Sequence, residues 1–217
     1  MGEVIPVGES AKKKNEIAAA KNPDFFREKG WRVLNFISSP GSGKTSLLES
    51  LGRLWGQKLA VVTADIQTTQ DADRIVRAGA KALQIETGGT CHLTSMMVSE
   101  TLAQLDTTGV QYLVIENIGN LICPAGYDLG ESAKVAILSV AEGDEKPSKY
   151  PNLFLRAEAV VFTKMDLLPY VTFDVARAEA DCRKLNPNVR FFHTSCKTGA
   201  GIEEFGKYVE GLPQEKA

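Results

Sequence analysis

The stretch Ser38-Ser39-Pro40-Gly41-Ser42-Gly43-Lys44-Thr45 follows the apolar run Val33-Leu34-Asn35-Phe36-Ile37 and precedes Leu47-Leu48. It reads as a buried strand, a tight glycine turn and the first turn of a helix, which is the context a phosphate-binding P-loop requires. Glycines let backbone N–H groups turn inward around an anion with no Cβ in the way. The helix N-terminus beyond them adds unpaired N–H donors and the positive end of its dipole. Lys44 is placed to reach the terminal phosphates and the Thr45 hydroxyl to ligate Mg²⁺. Pro40, Gly41, Ser42, Gly43 and Ser46 complete the expected cradle. The usual pattern is G-x-x-x-x-G-K-[ST], and Ser38 stands where its first glycine would be. An ordinary Gly/Ser turn would need neither the lysine and threonine nor both flanks.

The bulk properties bound the rest. A chain of 217 residues suits one α/β domain and can bury a sizeable core. Hydrophobic residues make up 43% and charged residues 24%, an ordinary globular composition. A net charge of −2 argues against a generic nucleic-acid binder, which carries a basic surplus. No apolar run approaches membrane-spanning length and no signal-peptide core opens the chain, so the expected setting is cytoplasmic, with neither membrane nor nucleic acid as partner. The four cysteines are widely spaced, which suits thiols or metal ligands in a reducing compartment better than a disulfide framework.

In chain order, residues 1–30 form a helical extension in which Pro23 is expected to interrupt the Ala/Lys/Glu-rich helix before Phe25-Phe26. Residues 31–217 form the P-loop domain, with metal-binding loops embedded in it. Strands are predicted at about 32–37, 59–62, 83–85, 111–115, 134–140, 158–162 and 189–192. Helices are predicted at about 43–56, 69–78, 92–105, 174–185 and 201–210. The fold class is therefore α/β: a three-layer P-loop NTPase with a mostly parallel central sheet of about seven strands flanked by helices. Ligands in such sheets bind beyond the carboxyl ends of the strands, and every candidate residue falls there.

Asp65 ends the second strand and Glu116 the fourth, so both carboxylates can face the crevice that holds the P-loop. Either could ligate Mg²⁺, directly or through water, and either could orient the attacking water. Thr163-Lys164-Met165-Asp166 follows the sixth strand and Ser195-Cys196-Lys197 the last. These resemble the guanine-reading elements [NT]-K-x-D and S-A-K. The Asp166 carboxylate can accept from guanine N1–H and the exocyclic amine together. Adenine lacks that donor pair and would leave a buried acceptor unpaired, which favours GTP over ATP. The stem of Lys164 can lie over the base. Thr163 for Asn and Cys196 for Ala depart from those patterns, the first weakening an Asn-type brace.

Thr90-Cys91-His92-Leu93 sets a thiol beside an imidazole at a loop-to-helix junction, and Cys123-Pro124 lies in the loop after Glu116. A low-pKa thiolate at a helix N-terminus with a neutral imidazole is a competent ligand pair for a borderline metal. Spacing alone leaves open a helix cap for His92 and a core thiol for Cys91, because the C-x-x-C pairs of a structural zinc site are missing. Cys182 and His193 read as structural.

Taken together, the stretches Ser38-to-Thr45 (SSPGSGKT), Asp71-to-Ile75 (DADRI), Thr87-to-Leu93 (TGGTCHL), Glu116-to-Ala125 (ENIGNLICPA), Tyr127-to-Glu131 (YDLGE), Glu142-to-Pro151 (EGDEKPSKYP) and Thr163-to-Tyr170 (TKMDLLPY) resemble the hydrogenase nickel-incorporation GTPases, the HypB family of P-loop metallochaperones. Ser38 in place of the first P-loop glycine is similar to what that family shows. The resemblance implies GTP hydrolysis to GDP and phosphate, nucleotide-dependent homodimerisation, and Ni²⁺ or Zn²⁺ held at the dimer interface by Cys91, His92 and Cys123. It implies nickel delivery, with a maturation partner, to the [NiFe]-hydrogenase large-subunit precursor. It also implies Mg²⁺ and the hydrolytic water near Thr45, Asp65 and Glu116, with Lys44 on the phosphates. Some members carry N-terminal cysteine or histidine clusters; this sequence has no Cys or His before Cys91. Rival readings are a urease-accessory-type nickel GTPase, where Cys-Pro-His replaces the adjacent Cys91-His92, a P-loop small-molecule kinase, and a GTP-regulated scaffold.

Overall fold

The computed structural model describes residues 20–65, 70–86 and 90–214. Seven parallel strands form one sheet: β1 (Arg32–Ser38), β2 (Leu59–Asp65), β3 (Lys81–Glu86), β4 (Tyr112–Glu116), β5 (Ala133–Ser139), β6 (Ala159–Thr163) and β7 (Arg190–His193). Their spatial order is β3-β2-β4-β1-β5-β6-β7. Central strands buried on both faces need near-continuous apolar sequence, and β1, β4, β5 and β6 supply it. The predicted strands all form. β2 carries on past the apolar run Leu59–Val62 to its expected end at Asp65, with Thr63 and Ala64 paired to Gln84 and Ile85 of β3.

Period-two alternation sorts the strand side chains onto two faces. On one face Leu34, Phe36, Val61, Val114, Val135 and Val161 pack against α2 (Lys44–Trp55), α3 (Gln70–Arg77) and α8 (Ile202–Glu210). On the other, Ile37, Ala136, Leu138, Val160 and Phe162 meet α6 (Pro151–Arg156) and α7 (Val175–Leu185). Beside them Val33, Val62, Leu113 and Ile115 meet Val98 and Leu102 of α4 (Ser95–Leu102). The short α5 (Lys146–Lys149) precedes α6.

The N-terminal extension departs from expectation. Its described part is helical over 20–28, here α1, and Pro23 lies inside that helix instead of interrupting it. Tertiary anchoring outweighs the local preference. Phe26 is buried and stacks near Trp31, and the Asn22 amide donates to the carbonyls of Ser95 and Leu129. The expected helix over 11–20 lies outside the described residues, apart from its last position.

Helix α4 is shorter than the predicted 92–105. Thr94 caps it by accepting from the Met97 N–H at 3.3 Å, which leaves Cys91 and His92 in the loop ahead of the cap. No helix among the described residues is long and apolar enough to cross a membrane.

Candidate functional site

The P-loop turn is built by Gly43, whose φ of 93° at the N-cap of α2 is open to glycine at no steric cost. Ser38, the residue in the first-glycine position, is buried, and its hydroxyl is an organising point. It accepts from Lys44 Nζ at 2.9 Å and from Ser42 Oγ at 2.6 Å, and donates to the Ser39 carbonyl at 2.8 Å. The exchange of glycine for serine thus tethers the P-loop lysine to the end of β1.

A cavity of about 590 Å³ opens above this turn. Pro40 to Ser46 form its floor, and Thr63, Asp71, Arg74, Glu116, Asn117 and Lys164 stand among its walls. Thr45 Oγ1 lies 3.5 Å from Glu116 Oε1. Thr63, one strand over and in register with Glu116, buries its Oγ1 with no hydrogen-bond partner among the described residues. Hydroxyl and carboxylate oxygens facing one cavity are the donor type that a hard cation such as Mg²⁺ takes. Asp65 ends β2 as expected, but its side chain lies outside the described residues. Gly119 closes the same wall, since a Cβ there would stand 2.9 Å from Pro40 Cγ.

Lys164 and Asp166 follow β6. Lys164 adopts φ 58° and donates from Nζ to the Gly41 carbonyl at 2.7 Å. Asp166 Oδ1 accepts from Ser195 Oγ at 2.6 Å, so the two short stretches expected to read a base are bonded to each other. Asp166, Ser195, Cys196 and Lys197 do not line the cavity itself; they gather beyond Lys164. Ser195 is buried, Lys197 is exposed, and Cys196 is half-buried, with its thiol pKa raised mainly by burial. The concern over Thr163 has a local answer: its hydroxyl donates to the Ser42 carbonyl at 2.5 Å, so threonine itself braces the P-loop.

The second constellation is at the next edge. Cys91 Sγ lies 3.5 Å from His92 Nδ1. The Cys91 thiol is held above its ordinary value, first by its hydrogen bond with the Cys123 thiol and then by burial. This corrects the expectation of a low-pKa thiolate: Cys91 precedes the N-cap of α4, and the group that acts most on its thiol is the Cys123 thiol. His92 stacks on Tyr127 with ring centroids 3.8 Å apart, and burial lowers its pKa, favouring the neutral imidazole that binds metals. Among the described residues no three Cys, His, Asp or Glu side chains converge as a metal cage. Cys91, His92 and Cys123 come together pairwise within one chain. Gly88 and Gly89 lie outside the described residues.

Cys182 is fully buried on α7, its thiol pushed up to about 12 chiefly by burial, as suits a structural residue. His193 Nε2 sits 2.8 Å from Glu179 Oε1 on the surface. Sequence reasoning assigned no role to Lys146, whose ammonium reaches both Ser39 Oγ of the P-loop and the Glu142 carboxylate. It also assigned none to Arg74, which lines the cavity while paired with Glu49 at 2.9 Å. Both lie in the distinctive stretches EGDEKPSKYP and DADRI, and that was the available signal.

The loop, cavity and sheet order define a P-loop nucleotide-binding domain. Residues 32–193 match the nucleotide-binding domain of CobW/HypB/UreG proteins, and the chain belongs to that family, in its HypB branch. It is 47% identical over 199 residues to the hydrogenase maturation factor HypB of Azotobacter vinelandii. That match covers 91% of this chain and 66% of the relative, so the chain spans less than two thirds of the relative's length. The crystal structure of HypB from Helicobacter pylori in complex with nickel superimposes with a TM-score of 0.87 at 40% identity, over 91% of this chain and 94% of that one. HypB from Archaeoglobus fulgidus gives 0.84 at 36% identity, covering 92% and 98%.

Proposed function

We propose that the chain is a GTP hydrolase and nickel metallochaperone that helps insert nickel into a [NiFe]-hydrogenase precursor. The observation that carries this reading is a juxtaposition. Glu116, facing the phosphate cradle, and Cys123, in thiol contact with Cys91, belong to one strand-to-loop segment leaving β4. A nucleotide-driven change at the first is therefore a few residues from the second.

In this reading Lys44 and the N–H groups of Pro40 to Ser46 bind phosphate, and Asp166, oriented by Ser195, accepts from guanine. Thr45 and Glu116 would hold Mg²⁺, with Asp65 the third oxygen donor by sequence position; the ion supplies neutralisation of phosphate charge. Glu116 or Asp65 orients the attacking water. Cys91, His92 and Cys123 hold Ni²⁺ or Zn²⁺ as cargo. Because three donors from one subunit do not fill a four-coordinate sphere, their symmetry mates in a homodimer complete it. The partners are a second copy, a maturation protein and the hydrogenase large subunit, in line with the name borne by the Azotobacter relative. Residues 1–30 serve as an accessory extension and 31–217 as the GTPase unit, in the cytoplasm.

The test measures GTP turnover, displacement of bound GDP by GTP and by ATP, and mass and nickel content with a GTP analogue. Wild type should hydrolyse GTP, resist displacement by ATP, and bind nickel as a dimer; Lys44→Ala should lose nucleotide binding or turnover. Equal displacement by ATP would favour a kinase, and unchanged turnover in Lys44→Ala would remove the site assignment.

A further inference from the structure

A line of buried polar side chains runs behind the Cys91–His92 loop; Asn117 at its head also lines the phosphate cavity, and Asn35, Glu131 and Lys134 lie outside it. It begins at Asn117, the residue after Glu116. Asn117 Oδ1 accepts from the Leu93 N–H at 3.2 Å, directly behind His92, and from the Ile118 N–H at 3.1 Å. Its amide donates to Asn35 Oδ1 at 3.3 Å. The Asn35 amide donates in turn to Glu131 Oε1 at 3.4 Å. Lys134 Nζ reaches that same oxygen at 2.6 Å and the Tyr127 carbonyl at 2.9 Å. Tyr127 then returns the path to the loop, its ring lying against His92. Glu131 Oε2 fixes the intervening turn by accepting from the Leu129 N–H at 2.7 Å.

All four members are buried: Asn35 at 0%, Asn117 and Glu131 at 1%, Lys134 at 3%. Desolvating an ion pair and two amides in the middle of a sheet is expensive, and apolar residues of similar volume commonly serve stability as well or better. Stability alone therefore does not account for the line. Asn35 and Lys134 are register partners on adjacent strands, which fixes one end of the line to the rigid sheet. The other end grips the loop backbone at Leu93 and, through Tyr127, the His92 ring.

We propose that Asn117, Asn35, Glu131 and Lys134 act as positioning residues for the Cys91–His92 loop, holding it in register with the end of β4 that carries Glu116. The effect on metal rests on the proposed ligand role of Cys91, His92 and Cys123; the effect on the loop backbone does not. Outer partners of metal ligands set ligand orientation, and their loss typically costs about 10–100-fold in metal affinity.

The test compares Asn35→Asp with Asn35→Asp/Glu131→Gln. The single change removes the donor to Glu131 and sets two carboxylates side by side. The double change moves the charge to position 35, where the carboxylate accepts from Asn117, from the new amide at 131 and from Lys134, while the amide oxygen at 131 keeps the Leu129 N–H. Two readouts run in parallel: hydrogen exchange of the Leu93 amide without metal, and Ni²⁺ titration with and without Cys91→Ala. The Leu93 amide should exchange about tenfold faster or more in the single variant. Ni²⁺ affinity should fall about tenfold or more, and both should recover in the double variant. Should Asn35→Asp not fold, Asn35→Ser, with a hydroxyl too short to span both neighbours, takes its place. A lower melting temperature with unchanged Leu93 exchange and Ni²⁺ affinity would overturn the proposal and leave the line as core stabilisation. If Leu93 exchange responds but wild-type Ni²⁺ binding ignores Cys91→Ala, the loop-positioning role stands and the ligand assignment falls.

Discussion

The Lys164 ammonium is hydrogen-bonded to the Gly41 carbonyl at 2.7 Å, joining the loop expected to read the base to the loop expected to hold the phosphates. Lys164 is also the one residue other than glycine with positive φ among the described residues. A side chain held in that region costs of order 1–3 kcal/mol, which the clamp offsets. Lys164→Ala should weaken GTP and GDP alike, by about 1.5–3 kcal/mol for a charge-assisted bond, in equilibrium nucleotide titrations. Lys164→Gly should lose the same affinity but be more thermally stable than Lys164→Ala, because it relieves the backbone that alanine leaves strained. Wild-type affinity in both would show that the clamp has no role in binding.

Asp166 should decide which base is accepted. An asparagine there offers a donor where guanine needs an acceptor, and a buried mismatch of this kind costs several orders of magnitude in discrimination. Asp166→Asn should lose GTP binding and gain affinity for xanthosine triphosphate, whose 2-oxo group accepts from the new amide. Competition assays against labelled GDP measure both; retention of GTP preference would move base recognition elsewhere.

Much of this arrangement was legible in the sequence, for identifiable physical reasons. Strongly β-branched or leucine-rich runs such as Gln111–Ile115 and Lys134–Val140 can hardly be anything but buried strands, and the P-loop follows from Gly43, Lys44 and Thr45. What was not legible depends on partners distant in the chain. Pro23 stays helical because Asn22 and Phe26 are anchored by residues some seventy to a hundred positions away. The Cys91 thiol is raised because Cys123 folds against it, a contact that no local pattern at 91–93 encodes. Ser38 showed as a departure from the usual glycine, whereas its bonds to Lys44 and Ser42 appear only in three dimensions.

Cys91→Ala and Cys123→Ala should each abolish stoichiometric Ni²⁺ and Zn²⁺ binding while leaving GTP turnover within about twofold, since neither thiol lines the phosphate cavity. Metal content after dialysis, with turnover measured in parallel, makes the check. Full metal occupancy in Cys91→Ala would transfer the cargo site to other residues.

The Glu131–Lys134 ion pair makes a pH prediction. Burial pushes the Glu131 carboxyl up, but the Lys134 charge and hydrogen bonds from Lys134 and the backbone outweigh it and hold the carboxyl below its ordinary 4.5. A depressed carboxyl stabilises the fold above its unfolded value, and that contribution fades as pH falls through the lower folded value. Wild type should therefore lose thermal stability in that acid window more steeply than Glu131→Gln/Lys134→Met, which has no such charge to lose. Lys134→Met alone, which strands a buried carboxylate, should cost about 3–5 kcal/mol near pH 7 by denaturant unfolding. Parallel acid profiles for wild type and the double variant would contradict this.

All seven strands run the same way, and the P-loop, the loop of Lys164 and Asp166 and the two thiol-bearing loops all leave from their carboxyl ends. The sheet beneath is a continuous hydrogen-bonded plate. Leu93, Leu121 and Ala125 root the thiol-bearing segments in the core and Gly119 abuts Pro40, so only the outward tips around Cys91–His92 and Ile122–Cys123 can change ligand chemistry without altering a strand or the Gly43 turn. One nucleotide engine could in that way be fitted to a different cargo by changing its rim alone.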